Sequence, residues 1–251
     1  MKKNIRLYLG NCMELMKNIP DGVIDLILCD LPYGVSACKW DNILPMDKLW
    51  LEYKRILKED GVIALFGREP FSSLLRSSNM DMYKYDWYWI KPHGANFLNV
   101  KYRPFEVVET ISIFTNNPVS YSKKNKNNRY FPQFEEGKPY VSKSGKQVND
   151  RNNSSVRSPI EQTITENSGT RYPKNTLYFN KDKEKLHPTQ KPVPLLEYLI
   201  KVYTKEKEIV LDNCMGVGST GLACSSLDRL FIGMEINENY FNIAKERISR
   251  R

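Results

Sequence analysis

The chain has 251 residues, of which 41% are hydrophobic, and this suits one large α/β domain or a core with an inserted module. Its apolar runs are too short to cross a membrane, and no apolar signal region follows the first three residues, so we expect a soluble, cytoplasmic protein. Five scattered cysteines without a C-x-x-C pair, and only two histidines, argue against a metal site and favour reduced thiols. The net charge of +9 indicates a polyanionic partner.

The first two predicted strands each end in polar residues. Alternating hydrophobicity over residues 5–9 predicts a strand that ends at Gly10-Asn11-Cys12, and the apolar run 23–29 predicts a buried strand followed by Asp30-Leu31-Pro32-Tyr33-Gly34. Pro32 cannot continue a ladder, so the chain must leave the sheet there. The turn brings a carboxylate, backbone carbonyls and an aromatic ring to the carboxyl end of a strand, where open α/β sheets bind ligands. Taken alone, it could equally be a strand-ending turn with a capping Asp.

Helical and strand patterns alternate up to residue 114, which favours a largely parallel sheet. Phe66 ends a buried strand and faces either a ligand or only the core. The elements that we expect in this stretch are a helix over residues 46–59, a strand at 62–66, a short helix opened by Pro70, and strands at 85–90 and 107–114.

Composition changes sharply after Thr115. Residues 115–185 carry 14 Lys and Arg against 7 Asp and Glu, a surplus of 7 out of the net charge of +9, so most of the net positive charge of the chain lies in this segment. The segment is too long for an ordinary connection, and it is either disordered or a small module that orders on a partner. Aromatic residues lie among its cations and could stack on bases, which favours nucleic-acid recognition over an inert loop. These aromatic residues are Tyr121, Tyr130, Phe131, Phe134, Tyr140, Tyr172, Tyr178 and Phe179.

The C-terminal part contains a glycine loop between a strand and a helix. Gly216-Val217-Gly218-Ser219-Thr220-Gly221 matches G-x-G-x-x-G, and Glu235 ends the next predicted strand as a ribose-binding acid would. The expected elements here are a helix that starts at Pro194, a strand at 208–211, a helix from Ser219, a strand at 230–234 and a helix at 237–249.

A nicotinamide-binding fold is the rival interpretation of this loop. That fold needs several more βα units after its second strand, yet only 16 residues follow Glu235. The missing strands would have to come from the N-terminal half. In addition, Asp212 at the mouth of the loop would repel a pyrophosphate, and a Walker-type loop is excluded because no Gly-Lys pair is present.

Three segments together resemble the amino-methylating DNA methyltransferases of the permuted β group. Asp30-Leu31-Pro32-Tyr33 is similar to their catalytic D-P-P-Y motif, with Leu31 where proline is usual. His187-Pro188-Thr189-Gln190-Lys191-Pro192 resembles their H-P-T-Q-K-P segment, and residues 211–220 resemble their D-P-F-x-G-S-G-T cofactor loop. The order of the motifs is that of the β group, and the resemblance covers roughly residues 5–114 and 186–249.

The resemblance implies a circularly permuted, Rossmann-like α/β sheet, mostly parallel, with helices on both faces and an inserted target-recognition region. The implied domains are a catalytic half at 1–114, the recognition region at 115–185 and a cofactor-binding half at 186–251.

It also implies residue roles. Asp30 with the carbonyls of Leu31 and Pro32 would hold the amino group of a base on which Tyr33 stacks. S-adenosylmethionine would be the cofactor, with Lys191 on its methionine carboxylate, Asp212 on its ammonium group and Glu235 on its ribose. In this family an acid stands where this chain has Asn11, whose amide oxygen can still accept from adenine, although a plain turn is an alternative. His187 and Thr189 either contact the cofactor or only shape their loop. The full set of implied cofactor-binding residues is Asn11, Asp30, Phe66, Lys191, Asp212, Gly216, Gly218, Ser219, Thr220, Glu235 and Asn237.

The implied activity is site-specific methylation of a flipped-out adenine at N6 in double-stranded DNA. Adenine is favoured over cytosine because Asp30, rather than a serine, opens the catalytic motif. Two alternatives stay open, namely an N4-cytosine methyltransferase and a non-catalytic DNA-binding protein with a degenerate methyltransferase fold, since Asn11 and Leu31 depart from the family pattern. A prokaryotic or phage origin and a place in restriction-modification fit the resemblance, and a homodimer and a cognate restriction endonuclease are open partners.

Overall fold

The structure is a computed structural model that describes residues 4–34, 42–120, 129–143, 164–182, 184, 186–187 and 189–250. In chain order the strands are β1 (Ile5–Leu9), β2 (Ile24–Cys29), β3 (Leu57–Gly67), β4 (Tyr83–Ala95), β5 (Glu106–Phe114), β6 (Glu135–Glu136), β7 (Tyr140–Lys143), β8 (Ile164–Asn167), β9 (Thr170–Arg171), β10 (Thr176–Tyr178), β11 (Ile209–Asp212) and β12 (Leu230–Glu235). The helices are α1 (Cys12–Leu15), α2 (Met46–Ile56), α3 (Phe71–Ser77), α4 (Val193–Tyr203), α5 (Ser219–Ser226) and α6 (Glu238–Ser249).

The described residues group into two compact units, one within 1–131 and 175–251 and the other within 132–174. The larger unit contains a sheet with the strand order β1-β12-β11-β2-β3-β5-β4-β10. The pairs from β1 to β3 are parallel, β5 is antiparallel to both of its neighbours, and β10 is parallel to β4. The predicted α/β fold with a mostly parallel sheet is therefore confirmed. The antiparallel strand follows from the short β4–β5 connection, since a parallel crossover needs a dozen residues or more.

Apolar side chains of the central strands point alternately to two cores. From β2, Leu26 and Leu28 enter one core together with side chains of α4, α5 and α6. Ile27 and Cys29 enter the other core, with side chains of α1, α2 and α3. The sheet therefore has helices on both faces, and the polar residues that follow its strands lie at one edge between the two helical layers.

Element boundaries differ slightly from those predicted. The helix expected over 46–59 ends at Ile56, because Leu57 takes an extended conformation and starts the long strand β3. Thr176–Tyr178, which we expected in the inserted region, pairs with Tyr88–Ile90 of β4 in the main sheet. Within the part of the chain that the structure describes, no helix is both long and apolar enough for a membrane crossing.

The smaller unit consists of two short antiparallel ribbons, β6 with β9 and β7 with β8. Two ring contacts support it: Arg171 lies over the Tyr140 ring at 4.7 Å, and Phe134 and Tyr172 are 4.9 Å apart. Phe134, Tyr140 and Tyr172 are exposed, as is Tyr178 in the main sheet. Tyr121, which we also expected among the stacking residues, lies outside the described residues.

Candidate active site

A cavity of about 580 Å³ opens at the carboxyl edge of the parallel strands. Strands β2, β11 and β12 end there in Asp30, Asp212 and Glu235, so the sheet brings together acids that are up to 205 residues apart, from 30 to 235. The volume lies within the range of cofactor and substrate sites. The predicted site residues that line the cavity are Asn11, Asp30, Leu31, Pro32, Tyr33, Phe66, Lys191, Asp212, Gly216, Ser219, Thr220 and Glu235.

Asp30 has both carboxylate oxygens engaged. The Tyr33 hydroxyl donates to Oδ1 at 2.5 Å, and the Lys191 ammonium donates to Oδ2 at 2.6 Å. Burial raises the pKa of the Asp30 carboxyl, and the nearby Lys191 charge opposes that rise. Because a carboxylate offers about four lone-pair positions, Asp30 can still accept hydrogen bonds from a ligand. The site thus holds a buried acceptor of fixed orientation.

The Tyr33 ring is supported from behind by Phe71, the first residue of α3. The two rings are stacked, with centroids 4.8 Å apart and planes 23° from parallel. Burial and the neighbouring Asp30 keep the pKa of the Tyr33 hydroxyl well above its ordinary value, so it remains a donor. One face of the ring is covered by Phe71, and a planar ligand that stacks on Tyr33 would use the other. Sequence reasoning missed Phe71, which only the fold brings to Tyr33.

Lys191 lies in a row of alternating charges. Its ammonium contacts Asp30 and also Glu109 of β5 at 3.2 Å, and Glu109 accepts from Lys91 of β4 at 2.9 Å. Burial would raise the pKa of Glu109, but Lys191 and Lys91 outweigh it and lower the pKa to about 2. Burial would likewise lower the pKa of Lys191, yet Asp30 and Glu109 raise it to about 12. Glu109 and Lys191 therefore both carry full charge at neutral pH.

This row changes the expectation for Lys191. We expected its ammonium to face a methionine carboxylate. In the structure the ammonium contacts two acids, Asp30 and Glu109. The ammonium also lies 5.1 Å from the centroid of the Phe66 ring, which lines the same cavity. Glu109 and Lys91 were not predicted as site residues. The available signal was a charged residue within the apolar strand pattern of β5 and another where β4 was expected to end.

Asp212 follows β11 at the start of the glycine loop and is buried. Thr220 donates to Oδ2 at 2.6 Å, and the Cys214 N–H donates to Oδ1 at 3.2 Å. Burial raises the pKa of the Asp212 carboxyl to about 6, against the lowering effect of these two hydrogen bonds. A buried carboxylate with so high a pKa favours a cationic ligand, because a positive charge would compensate for the lost solvation.

The two glycines of the loop have different roles. Both have positive φ, 53° at Gly216 and 78° at Gly218, which favours glycine. A Cβ at Gly216 would meet no heavy atom within 4 Å, so this backbone borders open space in the cavity. A Cβ at Gly218 would lie 2.8 Å from the Cβ of Ala244 in α6. A glycine is therefore required here where the loop packs against α6, and the expectation that Gly218 also lets a cofactor approach stays a prediction.

Glu235 is fixed by two backbone N–H groups, from Gly216 at 2.9 Å and from Asn237 at 2.7 Å. The side chain of Asn237 caps α6 by accepting from the Tyr240 N–H. Asn237 is thus a helix cap that is not among the residues lining the cavity, and its predicted contact with a cofactor stays a prediction. Ile236 and Tyr240 border the cavity in its place.

Asn11 and the loop of His187 form the remaining rim. The Asn11 Oδ1 accepts from the Met13 N–H at 2.9 Å and caps α1, which leaves that oxygen one further lone pair for a ligand. Thr189 donates to the His187 Nδ1, and the His187 ring meets Tyr240 at 4.5 Å. Burial, with a smaller effect of Lys191, lowers the pKa of His187, so its imidazole is neutral at pH 7.

The cavity residues fit S-adenosylmethionine, the cofactor that the sequence resemblance implies. One end offers open backbone at Gly216 and two buried acids, Asp212 and Glu235, toward a molecule with an ammonium group, a sulfonium and a ribose. The other end offers Asp30 and Tyr33 toward a second ligand. Such a division suits a two-substrate transfer.

Comparisons with known proteins agree with this geometry. The sequence model of a family described as DNA methylase, of the N6 and N4 type, matches residues 24–246. Type II methyltransferase M.HpaI of Haemophilus parainfluenzae is 30% identical over 258 residues, covering 97% of this chain and 74% of that protein. Type II methyltransferase M.HinfI of Haemophilus influenzae is 27% identical over 266 residues, covering 99% of this chain and 70% of that protein.

Two solved structures share the fold. The M1.HpyAVI–SAM complex has a TM-score of 0.60 and 24% identity, and covers 97% of this chain and 99% of that one. PvuII DNA methyltransferase, described as cytosine-N4-specific, has a TM-score of 0.66 and 17% identity, and covers 99% of this chain and 91% of that one.

Proposed function

Because this chain belongs to the N6/N4 DNA methylase family, whose methyl donor is S-adenosylmethionine, we propose that it methylates the N6 amino group of adenine in duplex DNA. The observation that carries the proposal is the partly buried Asp30 carboxylate at the cavity, held between the Tyr33 hydroxyl and the Lys191 ammonium. Its position beside an open aromatic face suits a flat base with an exocyclic amine.

An exocyclic amine is a poor nucleophile, since its lone pair is delocalised into the ring. Asp30 and the carbonyls of Leu31 and Pro32 accept the amino hydrogens and draw the nitrogen toward tetrahedral geometry. The Tyr33 ring, supported by Phe71, holds the base plane. These groups act by orientation and by preorganised electrostatics, and Asp30 is the acceptor for the proton that the amine loses on methylation.

The target amine of a duplex cannot reach this cavity while it is stacked, so the base must be flipped out at a cost of about a few kcal/mol. Basic residues of the proposed recognition region, 115–185, contribute phosphate contacts that offset this cost. We keep the domain limits 1–114, 115–185 and 186–251 as part of the proposal. The compact unit at 132–174 lies within the region that we assign to target recognition.

S-adenosylmethionine supplies the activated methyl group when bound. Asp212 would accept from its ammonium group, Glu235 would bind its ribose hydroxyls, and Asn11 would accept from its adenine. The Gly216 backbone provides the close approach, while Ser219 and Thr220 border the loop. Lys191 opposes the rise in the pKa of Asp30 that burial causes, and we assign it that role because its ammonium contacts Asp30 and Glu109.

N4-cytosine transfer is the second candidate, since the cytosine-N4-specific PvuII enzyme shares this fold. The mechanism at Asp30 would be the same for either amine. We favour adenine because an Asp opens the catalytic motif of this chain. A catalytically silent DNA-binding protein is less consistent with the ordered acids Asp30, Asp212 and Glu235 around one cavity.

The test is transfer of labelled methyl from S-adenosylmethionine to mixed-sequence duplex DNA, followed by nucleoside analysis. N6-methyladenine is the expected product. N4-methylcytosine would instead identify cytosine as the target base. No transfer together with no cofactor binding would favour the degenerate DNA-binding protein.

Asp30→Ala separates the role of the carboxylate from general damage. We expect the turnover rate to fall at least about a thousandfold, since a preorganised group at the reacting amine is removed. Cofactor binding measured by calorimetry should stay within about threefold of wild type, because Lys191 keeps Glu109 as a partner. Equal losses of transfer and of cofactor binding would contradict the assigned role.

A further inference from the structure

The connection between β4 and β5 exposes an apolar tip. Leu98 and Tyr102, at 89% and 87%, are the most exposed large hydrophobic residues that the structure describes, and Phe97 follows at 74%, close to Tyr178 at 73%. Single exposed apolar residues need no explanation, but three within six positions of one loop form a patch. The patch lies outside the cavity and has no role in the chemistry described above.

The loop has a defined conformation. Asn96 takes the left-handed conformation, with φ 64°, and its side chain donates to the Pro104 carbonyl at 3.2 Å and accepts from the Glu106 N–H at 3.1 Å. Tyr102 and Arg103 both donate their backbone N–H to the Asn99 carbonyl. The tip is therefore presented on a closed, hydrogen-bonded base, which is the arrangement of a residue set that meets a partner.

The tip stands at the edge where the cavity opens. Strand β4 runs parallel to β3, which ends at Gly67 opposite Thr110 of β5. Residues 106–109 of β5 continue past that end by roughly 13 Å at 3.3 Å per residue. The stem of this hairpin contributes Lys91 and Glu109 to the cavity wall. The 97–102 tip thus extends beyond the carboxyl edge of the sheet, on the side where the target base must enter.

We propose that the 97–102 tip enters the DNA duplex and that Leu98 fills the space vacated by the flipped base, an inference that rests on the proposed function. Apolar side chains inserted between base steps unstack and kink a duplex. Lys101 is exposed beside the apolar tip and can contact an adjacent phosphate. Arg103 is half exposed and pairs with Glu106 at 2.8 Å, so a second cation lies at the end of the tip. The Phe97 ring lies 6.4 Å from Phe105, which supports the tip from its base.

A second copy of this chain is a poorer occupant. A stable symmetric interface buries about 800 Å² per partner, more than three side chains on a protruding loop provide. A two-fold contact centred on this tip would also place Lys101 and Arg103 near their own copies, and such like-charge contacts are unfavourable. A polyanion with stacked, separable bases matches both the charge and the apolar character.

The experiment compares Leu98→Ala with wild type on two duplexes that carry the site at which the wild-type protein methylates plasmid DNA. In one duplex the target base is paired, and in the other it faces an abasic position that makes extrusion easy. We expect kcat/KM on the paired duplex to fall at least about tenfold, since extrusion of a paired base is costly. On the abasic duplex the variant should come within about threefold of wild type. Leu51→Ala, at a position 70% exposed on α2, is the matched control and should lose activity on neither duplex.

Each other outcome overturns the inference. Equal losses on both duplexes would mean that Leu98 supports the site and not base extrusion, and equal activity on both would mean that the tip does not enter DNA. A change in sedimentation of Leu98→Ala would identify a second copy as the occupant. If the wild-type protein methylates no plasmid site, the proposed function fails first, and this result is distinct from a loss confined to Leu98→Ala.

Discussion

Two buried carboxyls of the site, Asp212 and Glu109, have pKa values shifted in opposite directions, and their effects on stability should differ in sign. Burial dominates at Asp212 and raises its pKa to about 6, whereas two lysines dominate at Glu109 and lower its pKa to about 2. Ionisation therefore weakens the folded state at Asp212 and strengthens it at Glu109. The raised pKa of Asp212 fits a carboxyl that binds a cationic ligand, and the lowered pKa of Glu109 fits a carboxyl that stabilises the folded protein.

Asp212→Asn should stabilise the protein without ligands at neutral pH. The pKa of the Asp212 carboxyl is 3.8 in the unfolded chain and about 6 in the folded protein. The loss of folding stability caused by its ionisation is therefore small at pH 4 and complete above about pH 6. This difference corresponds to at most about 3 kcal/mol in the free energy of unfolding. Urea unfolding at pH 4 and pH 8 checks it, with Asp81→Asn at an exposed position as the control. A variant that is less stable than wild type at pH 8 would show that the hydrogen bonds to Asp212 outweigh its desolvation.

The same variant should bind S-adenosylmethionine more weakly, because a neutral amide offers less to an ammonium group. A variant that is more stable but binds the ligand more weakly indicates that the side chain contributes to binding at a cost in stability.

Glu109→Gln should have the opposite effect on stability. The folded pKa of about 2 lies below the ordinary 4.5, so the stabilisation is present above about pH 4.5 and is lost as the pH falls toward 2. The variant should lose about 3 kcal/mol of unfolding free energy at pH 7, and about half of that difference should remain at pH 3. Urea unfolding of the variant and wild type at these two pH values measures it. A loss that does not depend on pH would point to packing and not to charge.

Acids that directly follow apolar runs were predictable, and charges paired across the sheet were not. Asp30, Asp212 and Glu235 each end a strand, so strand prediction alone placed them at one edge. Glu109 contacts Lys191, 82 residues away from 109 to 191, and Lys91 on the neighbouring strand, and no local pattern encodes such partners. Gly218 shows a third situation: it has positive φ and packs against α6, and a glycine required by a neighbouring helix has the same sequence signal as one required by a ligand.

At the scale of elements, hydrophobic periodicity located most strands and helices but not their directions. Strands β2, β3, β11 and β12 are buried, connected through helices and parallel, as their continuous apolar runs indicated. Strand β5 is equally apolar, and its antiparallel direction follows only from the short loop that precedes it. That loop is the one that carries the exposed tip, so the change of strand direction also creates the projection beside the cavity.

At the scale of the whole molecule, the chain leaves the larger unit after Phe131 and returns at Asn175, and both points are anchored to the main sheet. On return, the Asn175 carbonyl accepts from the Tyr88 N–H, and β10 pairs with β4. On exit, the Phe131 N–H donates to the Val202 carbonyl of α4. The change in composition after Thr115 predicted an insertion. The residues at which the chain leaves and rejoins the larger unit depend on long-range pairing, which composition does not encode.

Arg129 is the main anchor on the exit side. Its guanidinium contacts Asp25 at 2.8 Å, Asp60 at 3.0 Å and Glu208 at 2.6 Å, with only 9% of the side chain exposed. One planar fork therefore joins residues of β2 and β3 and the residue that precedes β11, and Asp25 is completely buried. A lysine at this position would keep the charge but could not direct donors at three acids at once.

Arg129→Lys should therefore lower the free energy of unfolding by roughly 1–3 kcal/mol, the cost of leaving buried charged groups incompletely hydrogen-bonded. Urea unfolding measures it, and Arg250→Lys, which alters an exposed pair with Glu246, should change stability by less than about 0.5 kcal/mol. The transition of Arg129→Lys should stay single, because Asp25 keeps Lys58 and the Ile209 N–H as partners. A loss no larger than that of the control would mean that the three contacts of Arg129 contribute as little as surface ion pairs.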